Sequence, residues 1–440
     1  MFHTYNEALN WIHSRLRLGI KPGLKRMEWM MEKLNHPERR LRTVHIGGTN
    51  GKGSTVTFLR SILQEAGYSV GTFTSPYFEQ FNERISVNGT PVTDQEITEL
   101  ANVIFPLAEE LEKTELGGPT EFEVITAMSI YYFSKINPVD IVIFEVGLGG
   151  RFDSTNIIYP LLSIITSIGL DHTNILGHSI SEIAFEKAGI IKNGVPVVTA
   201  VKQADALKVI KEQADSKKAS LFQLGKDIII EDCTSLPKGE IFTVSTLFKR
   251  FPELQIEMIG QHQIENAALA VMASELLVQY YSFQIEENHL RKGLLSARWP
   301  GRFEILSENP FVVIDGAHNE EGITALINEL ESRFKKEKIK ILFAALKDKK
   351  LDNMISKLDG IAEKITFTDF DFPRAASSKE LLKLSKSENK HAVEDWKAYL
   401  QTEIEELKEQ EVLVITGSLY FLSQVRPDLV DRLKNRTRTL

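Results

Sequence analysis

The stretch Thr43 to Phe58, "TVHIGGTNGKGSTVTF", holds residues whose types and spacing could do chemistry. An apolar run enters a glycine-rich turn, reaches Lys52 and passes into a helical pattern. Backbone N–H groups that converge at a helix N-terminus, with a lysine beside them, cradle a phosphate. Against the pattern G-x-x-x-x-G-K-[ST] the stretch departs twice, with Ile46 at the first glycine position and Gly53 after the lysine. The competing reading is a glycine turn that packs strand on helix. If the loop works, Asn50, Gly51, Lys52, Gly53 and Ser54 bind the nucleotide, and Ser54 or Thr55 supplies the hydroxyl that position 53 lacks.

Glu145 closes the apolar run "DIVIFEV" (140–146). A carboxylate there is costly unless it meets a cation. A strand-end acid in a salt bridge satisfies this; so does a ligand for Mg²⁺, a hard cation that takes oxygen ligands and substrate phosphates. The carboxyl end of a strand beside a phosphate loop favours the metal. His172, in "GLDHT", reads by itself as a hydrogen-bonding loop residue, because imidazole is not magnesium's preferred partner. Lys187, in "SISEIAFEKAGI", falls on an expected helix that Ser179 and Glu182 open as a capping box, and by itself reads as a solvated charge.

The elements that must position these groups alternate along the chain. Almost wholly apolar runs at 41–46, 140–146, 161–168 and 195–200 predict parallel strands covered on both faces, with helical spacing between them, as in Ser54 to Ala66. Residues 219–260 read as a small β-rich insertion before a helix at Ile264 to Gln279. A break at Pro300-Gly301 reads as a hinge, followed by strands at 311–316, 340–346, 364–370 and 412–417. The expectation is an α/β protein: a parallel-sheet P-loop ATPase domain over 1–297, then a smaller Rossmann-like α/β domain over 298–440.

With 440 residues, 42% hydrophobic and 25% charged, the composition is that of a globular chain of more than one domain. No apolar run approaches membrane-spanning length, the N-terminus does not read as a secretion signal, and the lone Cys233 fits a reducing compartment, so the cytoplasm is expected. A net charge of −8 argues against a nucleic-acid footprint. Small-molecule partners and a monomer are the expectation.

The variant loop resembles that of the Mur ligase superfamily, and the remaining motifs resemble the folylpolyglutamate synthases, some of which also act as dihydrofolate synthases. Those motifs are "GGTNGKGS", "TSPYFEQFNERI", "FEVGLGGRFDSTN", "DHTNILGHSISEIAFEKAGIIK", "GQHQIENAALA", "WPGRFE", "DGAHN" and "TGSLYFL", in order across nearly the whole chain. The resemblance implies an ATP- and Mg²⁺-dependent amide ligase that adds L-glutamate to a folate through an acyl phosphate, with dihydropteroate as a further acceptor in those members that are also dihydrofolate synthases. It implies Ser75, Glu145 and His172 as metal ligands, with Lys187 carbamylated near a second metal. Asn266, Arg302 and Asp315 are implied as nucleotide contacts, and His318 as a catalytic residue on the γ-phosphate side. Phe122, Glu123 and Asp153 are implied near the pterin, with Phe122 as a stacking surface and Asp153 as an acceptor for ring N–H groups. Arg84, His318 and Ser418 are implied around the incoming glutamate. Rival readings are a cell-wall ligase of the same superfamily, which would carry an additional N-terminal substrate domain, and a P-loop switch that makes no product.

Overall fold

A computed structural model of the chain describes residues 1–437. The strands of its first unit are β1 (Thr43–Gly47), β2 (Val70–Phe73), β3 (Ile85–Val87), β4 (Thr90–Pro91), β5 (Ile141–Glu145), β6 (Leu162–Ile165), β7 (Val197–Thr199), β8 (Leu221–Gln223), β9 (Ile229–Ser235), β10 (Glu240–Ser245) and β11 (Arg250–Ile256). Those of the second are β12 (Glu304–Glu308), β13 (Phe311–Asp315), β14 (Lys338–Phe343), β15 (Ala362–Thr368), β16 (Lys390–Val393) and β17 (Glu411–Thr416). The first compact unit comprises Met1–Glu257 with Gln261–Arg298; the second comprises Met258–Gly260 with the residues from Trp299 onward.

The large sheet of the first unit has the order β4-β3-β2-β5-β1-β6-β7-β8. From β2 to β8 in that order the strands run parallel, and only β3 and β4 at one edge are antiparallel. Central β1 and β5 are buried along their whole length, as a parallel sheet with both faces covered requires. The register sets Ile46 beside Glu145 on one side and Ile164 on the other. The loop after β1, the carboxylate ending β5 and the residues beyond β6 therefore open at one carboxyl edge, where α/β sheets bind ligands.

The β-rich stretch over 219–260 divides in two. β8 pairs in parallel with β7 and extends the large sheet, while β9, β10 and β11 form a separate antiparallel sheet. In the second unit the order is β12-β13-β17-β14-β15-β16, parallel except for β12. Both units are α/β.

Helix Lys52–Glu65 follows the glycine loop and packs against helices Gln261–Tyr281 and Glu287–Ser296. The run Ala267 to Ala273 is buried all round the helix, which is the pattern of an interior element. Helix Glu287–Ser296 crosses at Gly293, where a Cβ would stand 2.4 Å from Ile62 Cα and 2.5 Å from Ile62 N. Backbone rather than a flexible side chain occupies that space, so the two helices must separate to admit a methyl group. Gly293→Ala should cost about 1–3 kcal/mol through this overpacking. Thermal or denaturant unfolding measures it, and a variant as stable as the parent would show that the crossing yields freely.

Candidate active site

At the turn into helix Lys52–Glu65, Gly51 holds φ +87, and a Cβ there would lie 2.3 Å from Asn266 Oδ1. Asn266 thus reaches the loop from helix Gln261–Tyr281. From the other side the residues beyond β6 brace it. Thr49 N donates to Ser167 O (2.8 Å), Asn50 N donates to Ser167 Oγ (2.9 Å), and Thr166 Oγ1 donates to Asn50 O (2.6 Å). Sequence reading missed Thr166 and Ser167. The available signal was a pair of small hydroxyl residues ending an apolar strand next to the loop. Of the two hydroxyls proposed to replace the missing one, Ser54 is buried, and Thr55 Oγ1 donates to Gly51 O at 2.9 Å.

Two lysines meet at this loop. Lys52 Nζ donates to Gly48 O (3.1 Å) and Thr49 O (3.3 Å), 3.9 Å from Glu145 Oε1. Lys187 Nζ donates to the same Gly48 O at 2.9 Å. Lys187 is therefore not a solvated charge. Its helix, Ile180–Ala188, opens with the expected Ser179–Glu182 capping box and turns Lys187 inward beside Ile183, Ala184 and Ala188. Burial, reinforced by the Lys52 ammonium, pulls the Lys187 amine down to about 7, against the opposing pull of Asp171 and Asp153.

Ser75 and Glu145 are brought together, with Ser75 N donating to Glu145 Oε2 at 3.3 Å. His172 stands with Asp171, its Nε2 3.9 Å from Asp171 Oδ2, and opens the short helix Thr173–Leu176. Among the described residues no group of three His, Cys, Asp or Glu side chains forms a metal cluster. That donor set still fits Mg²⁺, which is commonly held by one or two carboxylates together with substrate phosphates and water. Buried Glu145, facing Lys52, is such a carboxylate.

The residues implied near a pterin separate into two kinds. Phe122 is half-buried, 5.7 Å from the Phe73 ring, and lies so close over Gly147 that a Cβ there would meet its Cζ at 2.4 Å. Glu123 is spent inside the fold: it accepts from Thr120 N (2.7 Å) in a capping box and from Arg26 Nε at 2.9 and 3.0 Å. Asp153 is likewise occupied, accepting from Leu148 N (2.8 Å), Thr155 N (3.0 Å), Thr155 Oγ1 and Gly147 N. Its expected capacity for a ligand's N–H groups is thus taken up by the chain, while burial pushes its carboxyl upward. Arg84 is buried, with its guanidinium 5.3 Å from the Tyr77 ring, 5.6 Å from Phe81 and 3.9 Å from Glu121, and its Nε has no hydrogen-bond partner.

The second unit gathers Arg302, Asp315 and His318 at the carboxyl end of β13. Asp315 accepts from Phe303 N and Ala317 N, both at 2.8 Å; burial raises its carboxyl, while Arg302 and these N–H groups oppose. Arg302 Nη1 donates to Gly316 O (3.4 Å), and His318 Nδ1 donates to the same carbonyl (2.8 Å). Asp315 pairs in register with Thr416 of β17, which places buried Ser418 at the same sheet edge.

Residues 46–274 match the Mur ligase middle domain and residues 301–419 the Mur ligase glutamate ligase domain. A dihydrofolate synthase/folylpolyglutamate synthase of Bacillus subtilis is 51% identical over 98% of this chain and 100% of its own length. A Mycobacterium tuberculosis folylpolyglutamate synthase, solved with ADP and AMPPCP, superposes with a TM-score of 0.88 at 26% identity, over 97% of this chain and 99% of that one. An FPGS–AMPPCP–folate complex superposes with a TM-score of 0.85 at 31% identity, over 97% and 100%. At 51% identity over nearly the whole of both chains and with both domain models matched, the chain belongs to the folylpolyglutamate synthase/dihydrofolate synthase family of the Mur ligases.

Proposed function

We infer that this chain uses ATP to join L-glutamate to a folate, with tetrahydrofolate and dihydropteroate as the acceptors to compare. The observation that carries the reading is the meeting of Lys52 and Lys187 on one loop carbonyl at the carboxyl edge of the sheet, beside Glu145. In this reading the first unit binds ATP, the second handles glutamate, and the chain acts on small molecules as a cytoplasmic monomer. No helix among the described residues is long and apolar enough to cross a membrane.

A free carboxylate does not form an amide, because the group expelled would be oxide. Transfer of the γ-phosphoryl group of ATP to the folate carboxylate makes an acyl phosphate and ADP. The glutamate amine then attacks the acyl carbon, phosphate departs with the C–O electron pair, and the amine proton is released. Lys52, the loop N–H groups and Asn266 neutralise and align the phosphates, which is mainly electrostatic and positional work. Glu145, Ser75 and His172, with a carbamylated Lys187 nearby, would hold Mg²⁺, which would supply further charge neutralisation. By the family resemblance Arg302, Asp315 and His318 are proposed as nucleotide contacts, and Arg84, His318 and Ser418 as glutamate contacts. Phe122 offers the ring face for the pterin, and Glu123 and Asp153 shape that surface from behind. A P-loop switch is disfavoured by the buried Lys187, a costly feature with no use in a simple nucleotide sensor.

ADP release measured with dihydropteroate and with tetrahydrofolate, each with and without glutamate, tests the reading. Turnover should require both the acceptor and glutamate, and ATP hydrolysis indifferent to either would overturn ligation. Lys52→Ala should lower the rate roughly 100-fold or more while leaving the unfolding transition in place. A variant that retained parental turnover would remove the phosphate cradle.

The state of Lys187 is open to a direct spectroscopic test. Carbamate forms from a neutral amine and CO₂, releasing a proton. With the amine at about 7 in the folded chain, the neutral fraction climbs as the pH is raised through neutrality. The unfolded amine titrates near 10.4, so the burial cost is fully present below the folded value and fades as pH rises toward the unfolded one. A carbamate resonance from ¹³C-bicarbonate should grow between about pH 6 and 8 at fixed dissolved CO₂, and be absent from Lys187→Ala. No such resonance in the parent chain would leave Lys187 an unmodified amine.

A further inference from the structure

Behind the surface offered by Phe122, Asp153 ends a buried polar chain whose other members, His45 and Thr155, the ligation scheme does not use. His45 points from β1 into the interior with no exposed surface, and its Nε2 is 2.8 Å from Thr155 Oγ1. Thr155 Oγ1 in turn meets Asp153 Oδ1. Three backbone N–H groups converge on the Asp153 carboxyl, so it serves as acceptor and the Thr155 hydroxyl donates to it. That leaves the Thr155 oxygen to accept from His45, and fixes the His45 proton on Nε2. Burial, with Lys192 nearby, holds the imidazole down to about 3 and hence neutral. The other face of Asp153 grips Gly147 N and Leu148 N, and the Phe122 ring rests on Gly147.

We propose that Thr155, with its hydroxyl aimed by His45, is a positioning residue for the folate: through Asp153 it holds the Gly147–Leu148 peptide on which the Phe122 ring is seated. This rests on the reading that Phe122 faces the pterin. The nucleotide loop is braced separately by Thr166 and Ser167, so disturbing Thr155 should move folate binding and leave ATP binding alone.

Thr155→Val keeps the shape and removes the hydroxyl; Thr155→Ser keeps the hydroxyl. In Thr155→Val the KM for tetrahydrofolate should rise about tenfold, as for loss of one buried hydrogen bond, with the KM for ATP within roughly twofold. Thr155→Ser should return the folate KM to near the parental value. Amide hydrogen exchange, read without substrate, should be faster at Gly147 and Leu148 in Thr155→Val and unaltered at Asn50 and Gly51. Unchanged exchange at Gly147 and Leu148 overturns the proposal whatever the kinetics. Equal rises in both KM values, or no rescue by serine, overturn it as well, since they indicate general destabilisation. Faster exchange at Gly147 and Leu148 with an unmoved folate KM overturns it too, because Phe122 would then not be where the folate binds. A parent chain whose ATP turnover ignores folate and glutamate removes the ligase reading and, with it, the claim on folate. These failures are distinct.

Discussion

One peptide oxygen, that of Gly48, receives both Lys52 and Lys187. Bringing two ammonium groups to one acceptor away from water is unfavourable, and a low local dielectric magnifies the repulsion. Relief comes in two ways: one amine gives up its proton, as the depressed Lys187 is poised to do near neutrality, or an anion arrives. The surrounding structure holds this unstable arrangement in place. Strand β6 delivers Thr166 and Ser167 to the loop, helix Gln261–Tyr281 closes it at Asn266, and β5 ends on Glu145 beside Lys52. A rigid sheet edge is needed for this, because a mobile loop would turn its lysines into solvent.

Much of that framework is legible in the sequence for plain physical reasons. Short apolar runs rich in Val and Ile, bounded by turn residues, point to strands covered on both faces, whereas the apolar run Ala267 to Ala273 is a buried helix; the glycine turn between a strand and a helix marks the carboxyl edge. Strand β16 escaped reading because, as a half-exposed edge, "KHAV" has no apolar signal. The split of the 219–260 segment between two sheets depends on which edge each strand meets, which local pattern does not encode. Lys187 is a different case. Ile183, Ala184, Lys187 and Ala188 recur on one face of a helix, so the spacing placed the lysine inward; the habit of treating lysine as surface overrode the periodicity.

The acidic residues teach a similar lesson. Thr120 and Glu123 in "TEFE" are a capping-box signature, and the box forms, so the pattern had already assigned Glu123 to the helix start before any ligand role was considered. Asp153 caps the turn Ser154–Ile157 in the same manner. Whether a carboxylate faces a ligand or its own backbone is decided by where the next peptide turns, and local sequence records that only when a capping pattern is present.

That division has an electrostatic consequence for a chain of net charge −8. Nucleotide, folate and glutamate are all anionic, and an acidic protein should repel them. Yet Asp153 and, in the second unit, Asp315 are engaged with backbone N–H groups, and Glu123 with Thr120 and Arg26. Their charge is offset in part by fixed dipoles or a guanidinium at close range, and Asp153, with Asp171, still pulls on Lys187. What stands there is Lys52 on the loop, with Glu145 3.9 Å away, and the buried Lys187 on the same loop carbonyl. A local positive field inside an acidic surface is enough, because low-dielectric walls concentrate the field of buried charges while solvent screens the exposed ones. A net charge of −8 thus argues against an extended polyanion while leaving small anions a local site, where burial strengthens the pull of whatever charge Lys52 and Lys187 carry.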